Sequence, residues 1–262
     1  MFYRQRQLLS VYTEYLPARC LREQVACYWT SVPTGLGAPE TVVPDGCIDL
    51  VLSLDRVGGG VRMVIAGPME RPAQVDLGHS RWESFGIRFA PGGLHAFLRE
   101  PAHRFTGRME LLADVSPRLA GCLTAVLERR PVDERVSAAD RLLASMLGAS
   151  APWEATFRNA ACALADGRPV RAVAQREAVS ERHLQRLFLE RVGLSPKQFS
   201  RIARFQEALR QMQTGGKPLA DVAQVCGYYD QAHLTREFGS LAGLNPTAYL
   251  SDLSKTGGRP GR

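Results

Sequence analysis

Two short clusters carry the side chains best suited to chemistry. Arg182, Gln185 and Arg186 stand at i, i+3 and i+4, and Gln231, Ala232, Thr235 and Arg236 occupy a matching stretch fifty residues later. Guanidinium and amide groups make bidentate contacts with base edges in the DNA major groove, and an alanine offers apolar contact to a thymine methyl. Leu184, Leu187 and Phe188 fall on the opposite face of the first segment, as do Leu234, Phe238 and Leu241 in the second. Each segment therefore reads as a helix with one buried stripe and one free polar face. A single polar face is ordinarily just solvated. Two copies with arginine at the equivalent place, Arg186 and Arg236, argue for recognition instead.

The elements that must position these faces form an internal repeat. Val173-Ala174-Gln175 recurs as Val222-Ala223-Gln224 at an offset of 49, and His183-Leu184, Arg186, Phe188, Gly193-Leu194 and Pro196 recur at an offset of 50. The one-residue step falls where an inter-helix turn belongs. Each copy parses as a short helix (170–177, 219–226), a turn (Ala178-Val179, Gly227-Tyr228-Tyr229) and a second helix opened by Ser180 or Asp230 as N-cap. Gly193 and Gly243 end those second helices. Ser195-Pro196 and Asn245-Pro246 restart the chain with a cap residue followed by proline at the first helical position. Residues 196–214 are long enough for one helix joining the copies, with Ile202, Phe205, Leu209 and Met212 as its buried stripe and Gly215-Gly216 as its end.

Charge agrees with this reading. The 262 residues carry 33 basic and 26 acidic groups, a net +7. Residues 1–150 account for +1 and residues 151–262 for +6, so the excess lies with the repeat and points to a polyanionic partner there. Three of the basic residues are lysines and the rest arginines, which suits bidentate recognition of phosphate or guanine. At 45% hydrophobic and 23% charged, the composition is that of a globular chain with core to spare. There is no apolar run of membrane-spanning length and no secretory leader pattern at residues 1–17, so the expected location is the cytoplasm.

On these residues the C-terminal stretch resembles the DNA-binding domain of AraC-type (AraC/XylS family) transcriptional regulators. The carriers are Ser-Glu-Arg-His-Leu-Gln-Arg-Leu-Phe at 180–188, Gly-Tyr-Tyr-Asp-Gln-Ala-His-Leu-Thr-Arg-Glu-Phe at 227–238, and Ala-Gly-Leu-Asn-Pro-Thr-Ala-Tyr at 242–249. The resemblance implies two helix-turn-helix units whose recognition helices enter successive major-groove segments of double-stranded DNA. It implies a transcriptional regulator acting at the nucleoid, with RNA polymerase as a partner. One departure concerns Ala178, where the family often has glycine. A left-handed conformation there would cost about 1–2 kcal/mol.

Up to residue 100 the pattern is strand-like: 41–43, 48–54, 61–66 and 85–89, separated by turn-forming Pro, Asp and Gly. Helices follow near 94–99, 116–130 and 134–147. Val43-Pro-Asp-Gly-Cys-Ile-Asp-Leu-Val51, Gly67-Pro-Met69 and Gly86-Ile-Arg-Phe-Ala-Pro-Gly-Gly93 resemble, more loosely, the cupin-like regulatory domain of one branch of that family. The fold expectation is thus α+β in two domains, an N-terminal antiparallel β-barrel with helices and a C-terminal all-α tandem helix-turn-helix. The boundaries are 1–148, a linker at 149–152, 153–252, and a disordered tail at 253–262. This resemblance implies a small-molecule effector, of no particular kind, and homodimer contacts in the N-terminal part. A purely dimerising N-terminal domain without ligand is the alternative.

Three residues are candidates for the effector: Asp49, Trp82 and Arg88. Asp49 alternates away from Ile48 and Leu50, so it faces either solvent or a barrel interior, and Trp82 and Arg88 either line that interior or serve core and surface. Asp45-Gly46 reads as a hairpin turn. Most of the six cysteines read as buried thiols, and nothing cationic stands beside Cys47 in sequence to activate it. His183 and His233 read as cap-proximal packing or phosphate contacts. No Cys/His spacing fits a metal site, no cofactor motif occurs, and no catalytic residue stands out. An alkyl-transfer repair enzyme sharing the same DNA-binding module would need a zinc–thiolate cluster or a reactive-cysteine motif, and the chain shows neither.

Overall fold

The computed structural model describes residues 10–33, 40–75, 81–128, 130–148 and 152–255. Among these residues eight strands come first: β1 (Ser10–Tyr15), β2 (Val25–Pro33), β3 (Glu40–Val42), β4 (Ile48–Asp55), β5 (Val61–Ala66), β6 (Ala73–Val75), β7 (Trp82–Phe89) and β8 (Met109–Leu111). Six form one antiparallel sheet in the order β1-β2-β7-β4-β5-β8, while β3 and β6 pair as a separate ribbon. The α+β two-domain expectation holds, but among the described residues hydrogen bonds do not close the sheet into a barrel. Asp45-Gly46 is a turn without being a hairpin, because β3 pairs with β6 and not with β4. Asp45 Oδ1 accepts from the Cys47 N–H at 2.9 Å, and Gly46 takes φ +76, so the side chain itself makes the turn.

Alternation along β4 and β7 sorts the sheet into two faces. Leu50 lies opposite Ile87 and Leu52 opposite Phe85, all buried, and helices α1 (Leu112–Val115), α2 (Pro117–Leu127) and α3 (Val132–Met146) complete that core. Each such buried side chain contributes about 1.5–3 kcal/mol. Two polar bonds fix the helices to the sheet. Tyr28 donates to Asp140 at 2.8 Å, and the buried Arg135 donates to Glu83 at 2.7 Å and to the Leu127 carbonyl at 3.0 Å. The stretch expected to be helical near residues 94–99 is a 3-10 turn, Gly93–Ala96.

Seven helices follow: α4 (Pro152–Ala165), α5 (Val170–Arg176), α6 (Glu181–Arg191), α7 (Pro196–Thr214), α8 (Leu219–Val225), α9 (Gln231–Ala242) and α10 (Pro246–Lys255). The linker positions 149–151 and residues 256–262 lie outside the described residues. Serine and proline start α7 as the sequence suggests: Ser195 accepts from the Gln198 N–H while Gln198 reaches back to the Ser195 N–H, a complete capping box. The buried stripe Ile202, Phe205, Leu209 and Met212 is as expected. Ring pairs Phe157–Phe188, Phe188–Phe199 and Phe205–Phe238 lie 5.1–5.4 Å apart and run through both units.

The two cores meet. Val43 belongs to the helical core, Phe199 lies 3.6 Å from where a Cβ on Gly46 would stand, and Thr106 Oγ1 donates to the Gly193 carbonyl at 2.6 Å. Gln206 donates to the Pro44 carbonyl at 2.6 Å, and Gln198 to Glu70. All of these contacts fall on α6, α7 or the turn between them.

Candidate nucleic-acid interface

Both second helices are capped as their sequences dictate. Ser180 Oγ accepts from the His183 N–H at 3.1 Å, and Asp230 Oδ1 accepts from the His233 N–H at 2.6 Å. Leu184 and Phe188, like Leu234 and Phe238, are fully buried. Their burial turns Arg182, Gln185 and Arg186 of α6 to solvent, and Gln231, Ala232 and Arg236 of α9 likewise. Thr235 is half-buried, and its hydroxyl donates to the Gln231 carbonyl at 2.9 Å. Its lone pairs and methyl remain for a partner, so this position offers an acceptor and no donor.

Arg186 is the best-defined of these groups. Its side chain is 68% exposed, its Nη2 lies 3.4 Å from His183 Nδ1, and Glu190 stands 4.0 Å from its Nε. The weak pairing steers the guanidinium toward the N-terminal half of α6 without neutralising it. The two histidines differ. His183 is exposed, whereas His233 meets the Tyr228 ring edge-on at 5.3 Å and accepts at Nδ1 from the Tyr229 N–H at 3.3 Å.

Behind α9 a charged network sets the helix on α7. Arg201 donates to Glu237 at 2.9 Å and to Ser240 at 2.8 Å, and Arg204 lies 5.1 Å over the Tyr228 ring. Burial, with Glu237 close by, pushes the Tyr228 phenol well above its ordinary range. Nothing in the sequence pattern announces this network, because its arginines, Arg201 and Arg204, lie on α7, whose polar residues look like solvent contacts. The pattern also leaves Tyr229 unassigned, although this residue is 93% exposed at the mouth of α9.

The three effector candidates share the sheet face away from the apolar core, but they do not converge. Arg88 donates from Nε and Nη2 to both Asp49 oxygens, at 3.1 and 3.2 Å, with Asp45 at 3.5 Å. Burial raises the Asp49 carboxyl; for Arg88 burial acts the other way, and the two carboxylates outweigh it and hold the guanidinium charged. Trp82 is six residues from Arg88 on β7, about 20 Å along the strand. It stacks instead under Arg62, 4.7 Å away. Between the two ends lie Ser31, Ser53 and Ser84, all buried, and Trp29, which lies flat over Gly86. A Cβ at residue 86 would stand 1.9 Å from the Trp29 ring, so only glycine permits this stack. Tyr12 packs on the other side of Trp29 at 5.8 Å.

Cys27 and Cys47 are buried beside this cluster, and burial pushes Cys27 up to about 12 and Cys47 well above its usual range. A raised, buried thiol carries little thiolate, the form that reacts. Cys20, Cys122 and Cys162 are exposed and Cys226 is half-buried, which corrects the expectation of mostly buried cysteines. Those three sit at helix positions whose neighbours, not they, make the core. Among the described residues no group of His, Cys, Asp and Glu could hold a metal, and no helix is long and apolar enough to cross a membrane.

Residues 173–252 match a family described as a helix-turn-helix domain. Residues 13–110 match a domain family of unknown function (DUF6597). The chain is similar to the probable transcriptional regulator LumQ of Photobacterium leiognathi, 35% identical over 63 residues, or 24% of this chain and 25% of that protein. It is 31% identical over 85 residues to the transcriptional activator AarP of Providencia stuartii, 32% of this chain and 62% of AarP. The chain spans 25–62% of the length of the curated relatives it matches. Among solved structures, the DNA-binding domain of AdpA in complex with a target DNA is 26% identical, covering 40% of this chain and 96% of that one with a TM-score of 0.36. ToxT from Vibrio cholerae covers 82% of this chain and 95% of its own at 10% identity and a TM-score of 0.45.

Proposed function

We propose that this chain is a sequence-specific DNA-binding transcriptional regulator. The observation that supports it best is the pair of capped helices, α6 and α9, each with a buried Leu/Phe stripe and an exposed polar face carrying arginine at the same position. Arg182, Gln185 and Arg186 read one half-site. Gln231, Ala232, Thr235 and Arg236 read a second about one helical turn, roughly 34 Å, along the same face of the duplex. The remaining basic residues of this region supply phosphate contacts and affinity. The action is reversible binding. The test is selection from a randomised duplex pool with the full chain: two spaced motifs are expected, and binding without base preference would refute the reading.

The N-terminal domain, residues 1–148, holds the effector and the homodimer contacts in this proposal, and RNA polymerase is the downstream partner. A second observation favours an effector over pure dimerisation. The sheet face bearing the partly buried pair Asp49 and Arg88 also carries the buried Ser31, Ser53 and Ser84, whereas a face that served packing alone would be apolar. The effector class proposed is therefore a small polar molecule. Thermal-shift screening of wild type against Arg88→Ala tests it, because a genuine effector raises the wild-type midpoint and leaves the variant's unmoved.

A further inference from the structure

We propose that Tyr229 is a DNA-backbone contact belonging to the second recognition unit alone. Its hydroxyl donates to a phosphate beside the second half-site, and its ring lies against the neighbouring deoxyribose. This inference rests on the DNA-binding reading and adds a residue and a contact class to it.

Superposing the repeat isolates the residue. Glu177 and Cys226 are equivalent C-caps, with ψ 5 in both, and Ala178 (φ 54) and Gly227 (φ 74) are equivalent left-handed residues. Val179 then matches Tyr228, and the N-cap Ser180 matches Asp230. Tyr229 is the one residue left over, the cause of the step in the repeat from 49 to 50.

Its placement is specific. A scattered exposed aromatic is unremarkable by itself. This one is 93% exposed and directly precedes the N-cap of α9, at the same helix end as Gln231 and Ala232. Its backbone is held from both sides, by its own N–H to His233 Nδ1 at 3.3 Å and by the Asp230 cap on the His233 N–H. The ring is thus rooted in a rigid turn while its surface stays in water.

Charge explains why a phenol stands there. Where unit one has Arg182, unit two has Ala232, and where unit one has the neutral cap Ser180, unit two has the anionic Asp230. With Glu181 of unit one replaced by the neutral Gln231, the first three positions sum to zero in unit one and to −1 in unit two, at the end that approaches the duplex. A phosphate contact there must come from a neutral donor, and tyrosine hydroxyls are among the side chains that serve phosphates in DNA complexes.

A neutral donor leaves a particular signature. It adds affinity without releasing a counterion, so its loss lowers binding at every salt concentration alike, whereas loss of an arginine flattens the salt dependence by about one unit of slope. The test measures anisotropy of a labelled 40-base-pair duplex pool with a randomised centre, using the full chain at several salt concentrations. Tyr229→Phe is expected to weaken binding about 5-fold, the worth of one hydrogen bond, and Tyr229→Ala more than that. Both should keep the wild-type salt slope and the wild-type selected motif. Because the side chain is in solvent, both variants should unfold at the wild-type temperature. Equal affinity for wild type and both variants would overturn the proposal, as would a changed motif at the second half-site, since that would make Tyr229 a base reader. Wild type failing to bind the pool would instead overturn the DNA-binding reading itself.

Discussion

The two helix-turn-helix units share a fold and differ in what surrounds them. Unit one is held by the N-terminal domain: Gly193 ends α6 with Ala102, Thr106 and Pro68 pressed about it, and Phe157 lies against Gly92. At the equivalent Gly243 of unit two, Pro72 would stand 3.6 Å from an added Cβ, an ordinary contact distance. The readers differ in the same sense. In the proposed reading unit one presents Arg182, Gln185 and Arg186 to the bases, and unit two Gln231, Ala232, Thr235 and Arg236. The duplication therefore pairs a docked unit carrying two arginines on its free face with a freer unit carrying one.

The sharpest way to break this comparison is to put the same methyl group in both units. Gly193 and Gly243 take φ 82 and φ 75, so alanine costs about 1–2 kcal/mol of backbone strain at either. At Gly193 the new Cβ would also stand 2.8 Å from the Ala102 carbonyl and 2.9 Å from Pro68, which adds about 1–3 kcal/mol of overpacking. Gly193→Ala is expected to lower the unfolding midpoint well below that of Gly243→Ala. Equal shifts would mean that unit one is not docked as described.

The next effect concerns the readers. Arg186→Ala should relax base preference in the first half-site by about 1–3 kcal/mol, and Arg236→Ala should do the same in the second. The wild-type motif should carry more information in the first half-site, because Arg182 and Gln185 add bidentate contacts where Ala232 and Thr235 add fewer. Selection from a randomised pool decides this, and a second half-site richer in information would reverse the ranking.

The repeat was legible because helices advertise themselves through period and punctuation. Val173 and Val222 anchor the blocks, Ser195-Pro196 starts α7, and Gly215-Gly216 ends it. Strands whose apolar runs stood between turns, such as Val61–Ala66, were legible too. β1 and β2 carry Tyr, Thr, Glu and Ser among their apolar residues, and β2 buries side chains on both faces, Tyr28 in the apolar core and Ser31 on the polar side, so no alternation pattern announces them. The candidates Asp49 and Arg88 met because the β4–β7 register sets them opposite each other. Trp82 lay on the same face yet out of reach, since parity gives the face and register gives the distance. Docking was invisible for a related reason. Gly46, Gly92 and Gly193 look like turn residues, and only packing shows that two domains meet over them.

A smaller effect lies in the turns. Ala178 is the non-glycine residue at positive φ among those described, at the place where unit two has Gly227. Ala178→Gly relieves about 1–2 kcal/mol of strain but loosens the unfolded chain by about 0.4–1 kcal/mol. The net gain should raise the unfolding midpoint by a few degrees at most, and Gly227→Ala should lower it by a similar amount. If Ala178→Gly destabilises, the strain argument fails.

The smallest effect is a pH dependence confined to unit one. His95, on the 3-10 turn of the N-terminal domain, lines a cavity of about 360 Å³ with Thr156, Val179, His183, Leu187, Glu190 and Arg191. Burial, with Arg191 and Arg99 nearby, pushes its pKa down to about 4. A lowered histidine is neutral in the folded chain, while the unfolded chain takes up a proton below about 6.5. Stability is therefore unaffected above that pH and falls as pH drops from 6.5 toward 4. The cavity is half-open, so solvent screening keeps the effect under about 1 kcal/mol at pH 5.5. Other groups titrate over the same range, and His95→Gln removes this contribution alone. The midpoint difference between pH 7.5 and pH 5.5 should be larger in wild type than in His95→Gln. An unchanged difference would show that His95 is not held neutral against α6, and the tighter docking of unit one would then rest on Gly193 and its neighbours.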